Sequence, residues 1–153
     1  PSPISLNQVL EENISLFKSS ADAKNIRLTN MVKDDLTVYV DKDGISTVFR
    51  NLINNALKFT DDGGEVKVEA LLENGQVKII VSDNGVGMEQ NKVRSLFQLE
   101  ENQSTIGTKG EKGTGLGLIL CKEFIDLNKG KIRVESIINQ GTSFYLTLPV
   151  NPS

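Results

Sequence analysis

The chain has 153 residues, 38% of them hydrophobic and 24% charged, with a formal net charge of −3. That composition describes one domain with its own core; no stretch approaches the ~20 apolar residues of a membrane span, and the acidic balance argues against a nucleic-acid partner held on a broad basic face. The absence of histidine excludes Ser-His-Asp, Cys-His and His-metal chemistry within the chain, and the single cysteine, Cys121, excludes an internal disulfide and reads as a small core residue in a reducing compartment.

Pro1-Ser2-Pro3 has no initiator Met, no basic n-region and no apolar h-region, so nothing in it resembles a signal peptide and the chain reads as an excised fragment. Ser5 with Gln8 three residues later fits a capping box, and Leu6, Val9, Leu10, Ile14 and Phe17 recur at helical spacing up to the polar SSADAKN segment. Ile26–Asn30 and Leu36–Val40 read as short strands. After Asp41–Asp43 comes a second helix that contains RNLINNALKFT, Arg50 to Thr60. At about 100° per residue, Ile45, Val48, Leu52, Ala56 and Phe59 form one stripe, and Asn51, Asn55 and Lys58 form another. Asparagine is a poor helix former, so something other than helix stability places it there.

Asp61-Asp62-Gly63-Gly64 ends this helix. Glu65–Leu72 then alternates, with Val66, Val68, Ala70 and Leu72 inward, turns at Glu73-Asn74-Gly75 and returns with Val77, Ile79 and Val81 inward: a hairpin. DNGVGM, Asp83 to Met88, closes it, and a short amphipathic stretch around Val93, Leu96 and Phe97 follows. Glu100–Lys112 is polar and glycine-spaced and reads as a mobile loop. Gly115–Asn128 is apolar enough for a buried helix, and Lys131–Ile137 pairs through Asn139-Gln140-Gly141 with Thr142–Leu148 as a last hairpin. Antiparallel strand pairs interspersed with a few helices predict a sheet with helices stacked on one face.

Three stretches carry chemistry, each with a plainer alternative. GEKGTGLGL, Gly110 to Leu118, sets glycines before a helix and is either a flexible turn or a cradle whose backbone N–H groups meet a phosphate. It is neither a G-x-x-x-x-G-K-[ST] loop nor a dinucleotide fingerprint, which would need a strand where Thr105–Lys112 lies. DNGVGM is either an Asx turn or a carboxylate, Asp83, accepting from an exocyclic amine beside Gly85 and Gly87, which let a flat ring approach. The Asn51, Asn55, Lys58 stripe is either a solvated face or a holder of Mg-nucleotide, since an amide oxygen suits Mg²⁺ and an ammonium suits phosphate.

Taken together and in this order, these motifs resemble the ATP-binding catalytic domain of sensor histidine kinases, in the superfamily that includes gyrase, Hsp90 and MutL. RNLINNALKFT resembles its N box, DNGVGM its G1 box, Leu96-Phe97 its F box, GTGLGL its G2 box, and Gly141-Thr142 with Phe144 its region near the adenine. The resemblance implies an α+β fold over residues 1–153: a two-layer sandwich with a mixed, mostly antiparallel sheet and helices on one face, the Bergerat ATP-binding fold. It implies ATP and Mg²⁺ as cofactors, with Asn55 on the metal, Asn51 supporting it and Lys58 on phosphate. Phe59 would pack near the adenine, Asp83 would bond its amine, Gly85 and Gly87 would line the base pocket, and Thr142 would reach the base through its hydroxyl or a water. Leu96 and Phe97 would border the site. Gly113, Gly115, Leu116 and Gly117, in one loop with Thr114 and Leu118, would offer N–H groups to the phosphates. Glu89–Lys112 would be the ATP lid, with Lys109 and Lys112 as candidate phosphate contacts.

The implied activity is donation of the γ-phosphoryl group to a histidine on a separate dimerisation and phosphoacceptor domain, in a cytoplasmic two-component system with a response regulator downstream. Where ATPases of this superfamily carry a water-activating glutamate, one turn before the metal-binding Asn, this chain has Asn51, which is no base, so efficient hydrolysis is not expected. Where kinases often carry HGG it has Asn128-Lys129-Gly130. An anti-sigma-type serine kinase and a non-catalytic nucleotide-gated interaction module are the alternatives.

Overall fold

The computed structural model describes residues 1–97 and 117–151. In chain order the elements are β1 (Ser2–Ser5), α1 (Leu6–Ala23), β2 (Arg27–Asn30), β3 (Thr37–Val40), α2 (Lys42–Lys58), β4 (Glu65–Glu73), β5 (Gln76–Asp83), α3 (Gln90–Ser95), α4 (Gly117–Leu127), β6 (Lys131–Ile137) and β7 (Gly141–Pro149). Five strands form one sheet in the order β2-β4-β5-β7-β6, with β2 parallel to β4 and every other pair antiparallel. The predicted two-layer α+β arrangement is the observed one. Val66, Val68, Val77, Ile79, Val81, Phe144, Leu146 and Leu148 are buried, as are the apolar stripes of the helices, whereas intervening sheet residues such as Lys67, Lys78 and Tyr145 are only partly covered. Period-two alternation thus yields one helix-covered face and one that meets water.

Local signals explain the element ends. Ser5 Oγ accepts the Gln8 N–H at 3.3 Å, and Asp41 caps α2 by accepting the Gly44 N–H at 2.8 Å, each satisfying an N–H that the helix leaves unpaired. Asn74 and Gly75 both adopt positive φ, 53° and 77°, as the tight turn between β4 and β5 requires. At the other end of α2 the Lys24 ammonium, buried, donates to the Leu57 carbonyl at 2.8 Å and the Lys58 carbonyl at 3.4 Å. A cation on the terminal carbonyls satisfies them and opposes the helix dipole. Lys24→Ala is therefore expected to destabilise the domain by about 1.5–3 kcal/mol, read as a lower urea midpoint at unchanged slope.

Four expectations need correction. Strand β3 lies outside the main sheet: it pairs with β1, which was not anticipated, in a two-stranded ribbon matching Ser2 with Val40 and Ser5 with Thr37. Proline is tolerated there because such a ribbon has an unpaired side. Helix α1 does not stop at the SSADAKN segment but continues to Ala23, because Ala21 is buried while Ser19, Ser20 and Asp22 face solvent. Leu72 is 59% exposed and Ala70 only half-buried, since β2 ends opposite Val68 and leaves the rest of β4 as an edge. Helix α4 is amphipathic, not buried: Cys121 and Ile125 are inside, while Leu120 and Leu127 are exposed.

Candidate functional site

The register of the sheet creates the site's first half. Across β5, β7 and β6 the inward-facing rows run Ile79–Leu146–Ile132, then Val81–Phe144–Val134, and finally Asp83–Thr142–Ser136. Three apolar columns thus end in one polar row at the rim of the core. Asp83 Oδ1 accepts the Gly85 N–H at 2.8 Å and the Thr142 N–H at 3.3 Å, while Oδ2 has no partner among the described residues. Burial pushes the Asp83 carboxyl up from 3.8 to about 6, an effect that the two backbone N–H groups partly offset. At neutral pH it is therefore an anion with one oxygen pinned and the other left to accept.

The DNGVGM loop is clamped onto its neighbours. The Val86 N–H donates to the Phe59 carbonyl at 3.0 Å, the Asn139 N–H to the Val86 carbonyl at 2.8 Å and the Met88 N–H to Ser136 Oγ at 2.8 Å. A Cβ at Gly85 would lie 2.2 Å from the Phe59 carbonyl oxygen. One at Gly87 would lie 2.0 Å from the Ile137 carbonyl oxygen, and one at Gly141 2.0 Å from the Asp83 carbonyl oxygen. The space that these glycines leave empty is filled by protein backbone, which brings the end of α2, the loop and the β6–β7 turn into contact.

The second half lies between α2 and α4. Gly44 meets the Phe124 ring, the Cys121 thiol points at the Val48 carbonyl from 3.9 Å, and a Cβ at Gly117 would stand 3.0 Å from Asn51 Oδ1. Residues 44, 48 and 51 of α2 thus meet 124, 121 and 117 of α4, an antiparallel helix pair in contact along one stripe. Asn55 is the next residue on that stripe, one turn past the contact with Gly117, and so lies by the N-terminal end of α4, where backbone N–H groups and the helix dipole favour an anion. Burial raises the Cys121 thiol to about 12, partly countered by a hydrogen bond with Asn51; it stays protonated and belongs to the core, as predicted.

The other predicted site residues fall as follows. Lys58 is buried, with its ammonium 4.9 Å from the centre of the Phe59 ring, a cation–π distance. Leu96 is a core residue, and Phe97 and Leu118 pack against that core. Lys109, Lys112, Gly113, Thr114, Gly115 and Leu116 lie outside the described residues. Sequence reasoning missed Ser136, which closes the polar row; its signal was two-residue spacing from Ile132 and Val134. Among the described residues no three His, Cys, Asp or Glu side chains gather to hold a metal ion, so any cation here would rely on neutral amide oxygens and on its ligand. None of the described helices is long and apolar enough to cross a membrane.

The chain is similar over nearly its whole length to known sensor kinases and to solved histidine kinase catalytic domains. The adaptive-response sensory kinase SasA of Synechocystis sp. is 34% identical over 97% of this chain and 39% of its own length. Sporulation kinase E of Bacillus subtilis is 32% identical over 95% of this chain and 19% of its own. The chain thus spans well under half the length of these relatives. Among solved structures, the nucleotide-free catalytic domain of histidine kinase ThkA superposes with a TM-score of 0.85 at 28% identity, covering 99% of this chain and 98% of that one. ThkA in complex with the response regulator protein TrrA gives 0.79 at 25% identity, covering 99% and 42%. Residues 40–152 match the model of the family described as histidine kinase-, DNA gyrase B-, and HSP90-like ATPase, and the chain belongs to that family.

Proposed function

We propose that residues 1–153 form a single catalytic domain that binds MgATP and donates its γ-phosphoryl group to a histidine on a separate dimerisation and phosphoacceptor domain, in two-component signalling. The observation that carries this reading is the carboxylate of Asp83: one oxygen is fixed by two backbone N–H groups and the other is open to accept from the adenine amine. Thr142 and the DNGVGM loop, including Gly85 and Gly87, border the base, and Phe59 packs beside it. The triphosphate runs toward Asn55 and the N-terminal end of α4, with Lys58 and the GTGLGL backbone as further contacts.

The donor set fits Mg²⁺, a hard cation that keeps several waters and shares phosphate oxygens, so that one amide such as Asn55, supported by Asn51, suffices from the protein. When bound, the ion neutralises phosphate charge. The chain's own part is alignment and electrostatic stabilisation. A ring nitrogen of the acceptor histidine forms the new N–P bond as the bond to the β-phosphate oxygen breaks and ADP leaves. Having no histidine, the domain cannot supply that nucleophile, and Asn51 cannot activate water in its place. The sensory kinases among its relatives, and the response regulator bound to ThkA, support a response regulator as the onward acceptor.

The test is incubation with γ-labelled ATP, alone and with a histidine-bearing dimerisation domain in trans. Acid-labile, alkali-stable label on the added domain and none on this chain is the expected result. Acid-stable phosphoserine on a partner would instead identify a serine kinase of the anti-sigma type, and binding without any transfer a nucleotide-gated module.

A further inference from the structure

We propose that Ser136, on β6, is a positioning residue that fixes the hydrogen-bond polarity at the base end of the site: it holds the Thr142 hydroxyl as an acceptor, so that the pocket selects a purine with an amine at its 6-position over one with a carbonyl there. This rests on the placement of adenine against Asp83 given above.

Ser136 is 5% exposed, and its hydroxyl has one proton and two lone pairs to distribute. Three groups crowd it: the Met88 N–H at 2.8 Å, the Gly141 carbonyl at 3.1 Å and Thr142 Oγ1 at 2.8 Å. The Met88 N–H can only donate, so it takes one lone pair. The Gly141 carbonyl can only accept, so it takes the proton. One lone pair remains, and the Thr142 hydroxyl must donate to it. In the reverse arrangement, with Ser136 donating to Thr142, the oxygens of Ser136 and Gly141 would face each other 3.1 Å apart without a proton between them, a costly contact at a buried site.

The Thr142 proton is thereby turned away from the open side, and the lone pairs of Thr142 Oγ1 have no other partner among the described residues. The row presents two acceptors, Asp83 Oδ2 and Thr142 Oγ1, and no donor. An exocyclic amine satisfies such a pair, whereas a carbonyl oxygen brings lone pairs against lone pairs. Ser136 also ties down the segment after the loop, because its own carbonyl accepts from the side chain of Gln90, the first residue of α3, at 2.9 Å. Removing the hydroxyl frees the Thr142 proton to rotate outward and donate to a 6-carbonyl, which weakens the discrimination.

The experiment measures the affinities of the domain for ATP and for inosine triphosphate, which carries a carbonyl in place of the amine, in wild type, Ser136→Ala, Ser136→Thr and Thr142→Val. Wild type is expected to favour ATP. Ser136→Ala should lower the ATP-to-inosine preference about tenfold, Ser136→Thr should restore it, and Ser136→Ala added to Thr142→Val should change it no further. Thermal melting separates loss of fold from loss of preference, and Ser136→Thr, which keeps the hydroxyl on a strand-forming residue, reports on the preference should the alanine variant unfold. An unchanged preference in folded Ser136→Ala, or a preference lost in folded Ser136→Thr, overturns the role of Ser136 while leaving adenine at Asp83. Absence of ATP binding by the wild type would overturn that placement itself, and this inference with it.

Discussion

Asp83→Asn is expected to weaken ATP and ADP binding about 100-fold or more while making the ligand-free domain more stable. The amide oxygen of the variant can still accept from Gly85 and Thr142, but the open position then carries an NH₂ group, which meets the adenine amine donor to donor. Loss of a charge-assisted hydrogen bond together with that opposition amounts to about 3 kcal/mol, or about a hundredfold in affinity. Stability moves the other way. Burial raises Asp83 from 3.8 to about 6 in the fold, so the native state holds this proton more tightly than the unfolded chain does. Stability from this group is full below its unfolded value and is lost as pH rises through about 6, which leaves wild type about 3 kcal/mol behind the variant at neutral pH. Urea unfolding of both proteins at about pH 4 and pH 7 checks this: the gap should open between the two. Affinity of wild type for ATP should fall as pH drops below about 6, because the proposed contact needs the ionised carboxylate as acceptor of the amine.

Asn55→Ala is expected to slow phosphoryl transfer to the acceptor histidine by about 10²–10³-fold, with little change in fold. Asn55 is half-buried on the stripe of α2 that faces α4 and lies outside the core, so melting should shift little. Single-turnover transfer with saturating MgATP reads the rate. Binding of ATP without magnesium should be nearly the same in variant and wild type, since the role proposed for the lost oxygen is at the metal and the phosphate end, not at the base.

Helix α2 and the β4–β5 hairpin were legible because their periodicity and turn chemistry are local: the apolar stripe of Ile45, Val48 and Leu52, and Asn74-Gly75 between alternating strands. The candidate site drew notice in the sequence where residues run against local preference, as amides on a helix and a carboxylate closing an apolar strand. What escaped depends on distant partners. Ser2–Ser5 becomes a strand only because Thr37–Val40 lies beside it, and Lys24 caps a helix that ends more than thirty residues later. Ser136 looks like any polar strand residue until register sets it beside Thr142 and Asp83.

Central to the account is one adenine nucleotide stretched from Asp83 to Asn55. Titration of the ¹⁵N-labelled domain with MgADP, followed by NMR, tests it most directly. The amides of Gly85 and Thr142 at one end and of Gly117 at the other should shift along a single saturation curve, while adenosine alone moves only the first pair. Saturation with MgADP that leaves Gly85 and Thr142 unmoved, or no binding by folded protein, would contradict it.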